Sequence, residues 1–213
     1  MCSSDLRVFF CNSGAEANEG AFKLARRWGR AQGGAAKHEI LALRGGFHGR
    51  LFGTLAATDR PQYRAPFRPL AGGISIAERD LDELDGALNP ETVTAVIAEP
   101  VQGEGGVRVL DAKFLQDLRA LTRERGVLLI LDEIQCGYGR TGKLWAHEHA
   151  NVMPDIMTVA KPMAGGLPMG GILATREVAE TMQPGDHGTT FGGGPFVSTV
   201  ALHVLERLSD PTM

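Results

Sequence analysis

Short, continuously apolar runs alternate along the chain with longer stretches whose apolar residues recur every three or four positions. Residues 8–11 (VFFC), 40–43, 93–98 (VTAVIA), 127–131 (VLLIL), 156–160 and 172–174 form the first set. Runs of this length bounded by turn formers read as strands. VLLIL is apolar throughout, as a strand covered on both faces must be. Helical spacing appears at 15–30, through Ala17, Ala21, Leu24, Ala25 and Trp28, and at 112–125, through Phe114, Leu115, Leu118 and Leu121. Strands alternating with helices predict βαβ units with right-handed crossovers and a mostly parallel sheet, an α/β fold. Residues 63–76, rich in Pro and Gly, read as a long loop. No internal repeat or linker interrupts the pattern.

This architecture says where to look for chemistry, because ligands of open α/β sheets bind beyond the carboxyl ends of the strands. The residues that follow the strands are Asn12-Ser13-Gly14, the run from Gly45 to Arg50, Glu99-Pro100, Asp132-Glu133 and Lys161. Taken singly, each is an ordinary capped or solvated loop residue. Together they set a phosphate-friendly turn, an aromatic, an arginine, three carboxylates and a lysine on one edge.

Composition removes several alternatives. The chain has 213 residues, 22 basic and 25 acidic, for a formal charge of −3. A dedicated nucleic-acid binder carries a strongly basic face instead. No apolar run approaches the ~18–20 residues that span a membrane. The three cysteines, Cys2, Cys11 and Cys136, are odd in number and far apart. That excludes a disulfide framework and a zinc cluster of usual spacing, and fits a reducing cytoplasm. Residues 1–6 (MCSSDL) read as a non-native scar joined to the interior of a longer protein, and the other end stops directly after a helical pattern. A fragment is therefore expected.

Ser13-Gly14-Ala15-Glu16 has the capping-box pattern of a helix start, and such a start also attracts phosphate. Asp132 follows five apolar residues, and a carboxylate at a buried strand end needs a partner, either a protein group or a cationic ligand nitrogen. Lys161 ends an apolar run and precedes Pro-Met-Ala-Gly-Gly. That placement suggests a desolvated lysine, which forms Schiff bases readily. An imine lysine, a partner for a ring nitrogen, a phosphate cradle and an aromatic describe a pyridoxal phosphate pocket.

On these residues the chain resembles the class III (subgroup II) aminotransferases, most closely the acetylornithine branch. The segments that carry the resemblance are FFCNSGAEANEGAFKLAR, GGFHGR, AVIAEPVQGEGGV, LLILDEIQCGYGRTGKLWAHEH, PDIMTVAKPMAGGLPMG and HGTTFGGGP, in family order from Arg7 onward. The resemblance implies the large domain of a fold type I pyridoxal phosphate-dependent transferase, spanning residues 7–213, with a sheet between two helical layers. An N-terminal segment and a small C-terminal domain would lie outside it. It implies that Lys161 carries the cofactor and shuttles a proton, and that Asp132 pairs with the ring nitrogen. Gln135 would meet the ring hydroxyl and Phe47 would stack on the ring. Ser13, Gly14 and Ala15 would hold the phosphate, joined by Thr190 from the neighbouring subunit of a homodimer. Arg50 would bind the substrate α-carboxylate and Glu104 would gate a second carboxylate. The implied reaction moves an amino group from N2-acetylornithine to 2-oxoglutarate in arginine biosynthesis. Ornithine, 4-aminobutyrate or a lysine-pathway semialdehyde are rival substrates, and an inactive fragment is the rival of another class. No metal is implied.

Two motifs compete with this reading. Residues 137–142 spell GxGxxG and open a near P-loop, GxxxxGK, but the first Gly does not follow the strand directly and Leu144 replaces the Ser/Thr that ligates magnesium. His147-Glu148-His149 lacks the HExxH spacing.

Overall fold

The computed structural model describes residues 6–210. In chain order the elements are β1 (Leu6–Cys11), α1 (Gly14–Gly33), β2 (Glu39–Leu43), α2 (Phe52–Ala57), α3 (Pro61–Arg64), β3 (Ile74–Ala77), α4 (Leu81–Ala87) and β4 (Val93–Ala98). They continue with β5 (Val101–Gln102), β6 (Arg108–Val109), α5 (Ala112–Glu124), β7 (Leu128–Asp132), β8 (Ile156–Val159), β9 (Gly170–Thr175), α6 (Arg176–Ala179) and α7 (Pro195–Leu208). Of the hexapeptide 1–6, only Leu6 lies within the described residues; it opens β1 and pairs with Thr175. Among the described residues no helix is long and apolar enough to cross a membrane.

Seven strands form one sheet in the order β1-β9-β8-β7-β4-β2-β3. Alternation along each strand divides the core in two. Ile40, Ala42, Ala95, Ile97, Leu128 and Ile130 face α1, where Ala17, Ala21, Phe22 and Trp28 meet them. Leu41, Leu43, Val96, Leu129 and Leu131 face the other way, onto Leu84 of α4 and Leu115 and Leu118 of α5. Two helical layers therefore sandwich the sheet, which explains why β4 and β7 are apolar at every position but the last residue of β7 and Thr94.

The sheet is mostly parallel, as expected, with one strand reversed, and two expectations need correction. Residues 172–174 belong to β9, which runs antiparallel to both β1 and β8. The connection 160–169 contains no helix, and a parallel return needs a crossover of about a dozen residues or more. Residues 63–76 are not all loop, because β3 begins at Ile74 and extends the sheet edge beside β2. An edge strand of four residues after a Pro- and Gly-rich stretch leaves a weak pattern. The capping box is half formed: Ser13 Oγ accepts from the N–H of Glu16 at 3.2 Å, but the Glu16 carboxylate turns back one residue further, to the N–H of Asn12 at 2.8 Å.

Candidate active site

With β9 alone reversed, the other strands of the large sheet point their carboxyl ends to one edge, as the sequence suggested. A cavity of about 700 Å3 opens there, and every candidate residue except Thr190 lines it. Ser13, Gly14 and Ala15 come from the start of α1, where first-turn N–H groups have no intrahelical acceptor. Phe47 and Arg50 come from the loop after β2, Glu104 from the loop after β5, Asp132 and Gln135 from the end of β7, and Lys161 from the end of β8.

Asp132 is 3% exposed and forms the floor. Leu128 and Ile130 face α1, so Asp132, two further along β7, faces α1 too. Thr158 of β8 is its register partner. Asn18, one turn of α1 beyond Gly14, reaches into this gap. Its Nδ2 donates to Asp132 Oδ2 at 2.7 Å and to the His48 carbonyl at 2.8 Å, and its Oδ1 accepts from Thr158 Oγ1 at 2.7 Å. His48 Nδ1 lies 2.8 Å from the same Asp132 oxygen, and Oδ1 accepts from the N–H of Ile134 at 3.1 Å. Burial opposes charge on His48, but the Asp132 carboxylate outweighs it and raises the imidazole above the usual histidine value. The other ring nitrogen of His48, Nε2, is buried without a hydrogen-bond partner.

The rim is built differently. Lys161 is exposed, not desolvated as its apolar strand suggested, because burial stops at Ala160. Arg50 is also exposed, with its guanidinium 4.5 Å from the centre of the Tyr63 ring. The same ring meets Phe47 edge-on at 6.5 Å. Phe47 is held from behind, its N–H donating to Glu99 Oε1 at 2.8 Å. Two glycines permit the close fit. A Cβ at Gly14 would lie 2.8 Å from Ile134 Cγ2, so glycine here serves packing against the Asp132 turn as well as any ligand. Gly49, at φ +133°, would press a Cβ within 2.8 Å of Ala15 Cβ.

Thr190 lines a separate cavity of about 420 Å3 with Glu16, Glu19 and Thr189. The competing motifs take structural parts: residues 137–142 form a turn with no α-helix behind it, Glu133 accepts from the N–H groups of Ala146 and His147, and His149 Nε2 lies 3.0 Å from the Thr141 carbonyl.

The Aminotransferase class-III family matches residues 1–213. The chain belongs to that family. It is 50% identical over 210 residues to a probable mitochondrial acetylornithine aminotransferase of Dictyostelium discoideum, covering 97% of this chain and 46% of that protein. Identity to the acetylornithine aminotransferase of Xanthomonas campestris is 49%, over 96% of this chain and 51% of the relative. This class-III chain thus spans about half the length of the curated relatives it matches. Among solved structures it resembles the ornithine aminotransferase of Toxoplasma gondii, with a TM-score of 0.91 and 35% identity over 97% of this chain and 50% of that one. It also resembles a PLP-bound amine transaminase from an uncultivated Pseudomonas species, with a TM-score of 0.88 and 31% identity over 95% of this chain and 52% of that one. The fold is accordingly that of the fold type I transaminases.

Sequence reasoning passed over several residues that build the site of this class-III chain. Asn18 and His48 hold Asp132, Thr158 holds Asn18, and Tyr63 carries Arg50. Asn18 sits four positions after Gly14 and so on the same helix face, a signal that was present. His48 sits between two assigned residues of GGFHGR. Tyr63 had no signal, since it lies in what read as loop.

Proposed function

We propose that this chain forms most of the cofactor half of a pyridoxal phosphate-dependent aminotransferase that moves an amino group from N2-acetylornithine to 2-oxoglutarate. One observation carries the reading: an amine (Lys161), a buried carboxylate (Asp132) and the first turn of a long helix line a single cavity. This donor set suits the cofactor, with a carboxylate for its ring nitrogen, N–H groups for its phosphate and an amine for its carbonyl carbon. When bound, pyridoxal phosphate supplies an electron sink for the substrate Cα.

Asp132 holds the ring nitrogen in its protonated form, while Asn18 and His48 keep the carboxylate in place. Ser13, Gly14 and Ala15 hold the phosphate at the positive end of α1. Phe47 would cover one face of the ring and Gln135 would reach the ring hydroxyl, both lining the cavity. Lys161 Nζ would hold the cofactor carbon and, once freed by substrate, would carry the proton at the substrate Cα. Arg50 binds the α-carboxylate as a fork, and Glu104, exposed on the rim, gates the distal end of the substrate. In a homodimer Thr190 reaches the partner's phosphate site. Phe191 and Phe196 beside it are 77% and 73% exposed, as residues covered by a second copy are in an isolated chain. The acetylornithine donor is taken from the names of the relatives, and an arginine-biosynthetic role and a cytoplasmic location go with it.

The test loads the protein with pyridoxal phosphate, verifies the cofactor band by absorbance and assays glutamate formation with N2-acetylornithine, ornithine and 4-aminobutyrate in turn. Acetylornithine should be the best donor. Preference for another donor overturns the substrate assignment. No transfer from any donor, in a sample that holds the cofactor, overturns the transaminase assignment for this chain and leaves the inactive fragment.

A further inference from the structure

A buried carboxyl in the cavity wall remains without a role. Glu99 follows β4, is 5% exposed and lines the same cavity as Asp132 and Lys161. Its Oε1 accepts from the N–H of Phe47. The titratable groups around it come from three elements: His48 from the loop after β2, Asp132 and Cys136 from the end of β7 and the turn beyond, and Lys161 from the end of β8.

We propose that Glu99 is a proton-exchanging wall of the cofactor cavity, holding a proton in the cofactor-free protein and releasing it when a cationic ring nitrogen settles against Asp132. The inference rests on the cofactor reading above and adds a linkage to it. Burial pushes the Glu99 carboxyl up to about 7 against the pull of His48, and the Asp132 carboxylate pushes in the same direction as burial. The Phe47 N–H and Lys161 offset part of the rise. A cation paired with Asp132 offsets that carboxylate's repulsion by its own attraction, so Glu99 ionises more easily. The step is a plain acid dissociation: the carboxyl O–H bond breaks, its electron pair stays on oxygen, and the proton leaves to solvent through the cavity mouth. By linkage the cofactor then binds more tightly as pH rises through neutrality. A carboxyl present only to accept from the Phe47 N–H is replaceable by an amide, which makes that bond equally well.

Glu99→Gln therefore keeps the size and the hydrogen bond and removes the proton equilibrium. Calorimetric titration with pyridoxal phosphate at pH 7, in buffers of different ionisation enthalpy, counts the protons released. The wild-type chain should release about half a proton more than Glu99→Gln, and its affinity should gain up to about tenfold between pH 6 and 8 over the variant's own pH trend. Equal proton counts, with the cofactor absorbance band present in both, overturn the proposal and leave the cofactor reading standing. Absence of any cofactor band in the wild-type chain overturns both. A readout free of mutation is the carbon-13 spectrum of labelled glutamate carboxyls. One signal should titrate near neutrality and move to lower pH when pyridoxal phosphate is added. A spectrum in which every carboxyl titrates in the ordinary acidic range, or in which that signal stays put, also overturns the proposal.

Discussion

On the floor of the cavity, both oxygens of Asp132 have protein partners; on the rim, Lys161 and Arg50 stand exposed. The floor is assembled from α1, β7, β8 and the loop after β2, and the helix and the two strands are set by apolar alternation in the core beneath. A charge placed there has to be paired, since a carboxylate out of water without partners is costly. The rim side chains are long, cationic and solvated, and Arg50 is steadied only by the face of Tyr63 among the contacts described. The fold itself thus organises the part of the site proposed to face a ring nitrogen, and leaves adjustable the part proposed to meet substrate. Floor substitutions should register in folding stability, and rim substitutions in ligand binding.

The sharpest break is His48→Leu. It strips a buried carboxylate of one partner, and removing one member of a buried pair costs about 3–5 kcal/mol. Urea denaturation should show that loss, and a change under 1 kcal/mol would mean that the floor is not held as described. Asp132→Asn is milder. One amide cannot accept from the Asn18, His48 and Ile134 donors together, so a loss of about 1–3 kcal/mol is expected. On the proposed function, turnover in that variant should fall by much more than stability, because the charge proposed to keep the ring nitrogen protonated is gone. Wild-type turnover would return Asp132 to a bracing role.

Acidity should separate the two regions as well. Glu99 rises from 4.5 to about 7 on folding, and His48 also rises. A group whose folded value is raised contributes stability that is fully present below its unfolded value and is lost as pH climbs through the folded one. Unfolding free energy should therefore decline from about pH 4.5 to above pH 7. Glu99→Gln should remove the acid half of that slope, and an unchanged slope in the variant would contradict it. The smallest stability effect belongs to Arg50→Ala, within about 0.5 kcal/mol of the wild type. Binding of 2-oxoglutarate to the cofactor-loaded protein should nonetheless weaken by about tenfold or more, which titration calorimetry reads. A stability loss with unchanged oxo-acid binding would reverse the contrast.

Much of this arrangement was legible before any coordinates. The strand at 93–98 agrees with β4 at both ends, and the long runs of helical spacing became α1 and α5. Strong periodicity and continuous apolar runs reflect burial, which is what decides these elements. Short pieces were missed for the same reason. α2 and α3 have six and four residues, too few to show a period, and β9 carries no local mark of its direction. In the site, residues that end strands were readable because topology alone puts them on one edge. Thr158 was not, and Asn18, though readable on the helix face of Gly14, shows its partners only once it is known which strand face α1 covers. Lys161 was placed correctly but with the wrong surroundings: an apolar strand behind a residue does not bury the residue after it.

The central claim is that Lys161 and Asp132 share one cofactor pocket at the carboxyl edge of the sheet. Its most direct test is to treat the chain with pyridoxal phosphate, reduce with borohydride and map the modified peptide by mass spectrometry, with Lys161→Ala as control. The label should fall on Lys161 and vanish in the control, while phosphate-held cofactor persists more weakly. A label on Lys143 or Lys113, or one that survives the Lys161→Ala change, would contradict the account.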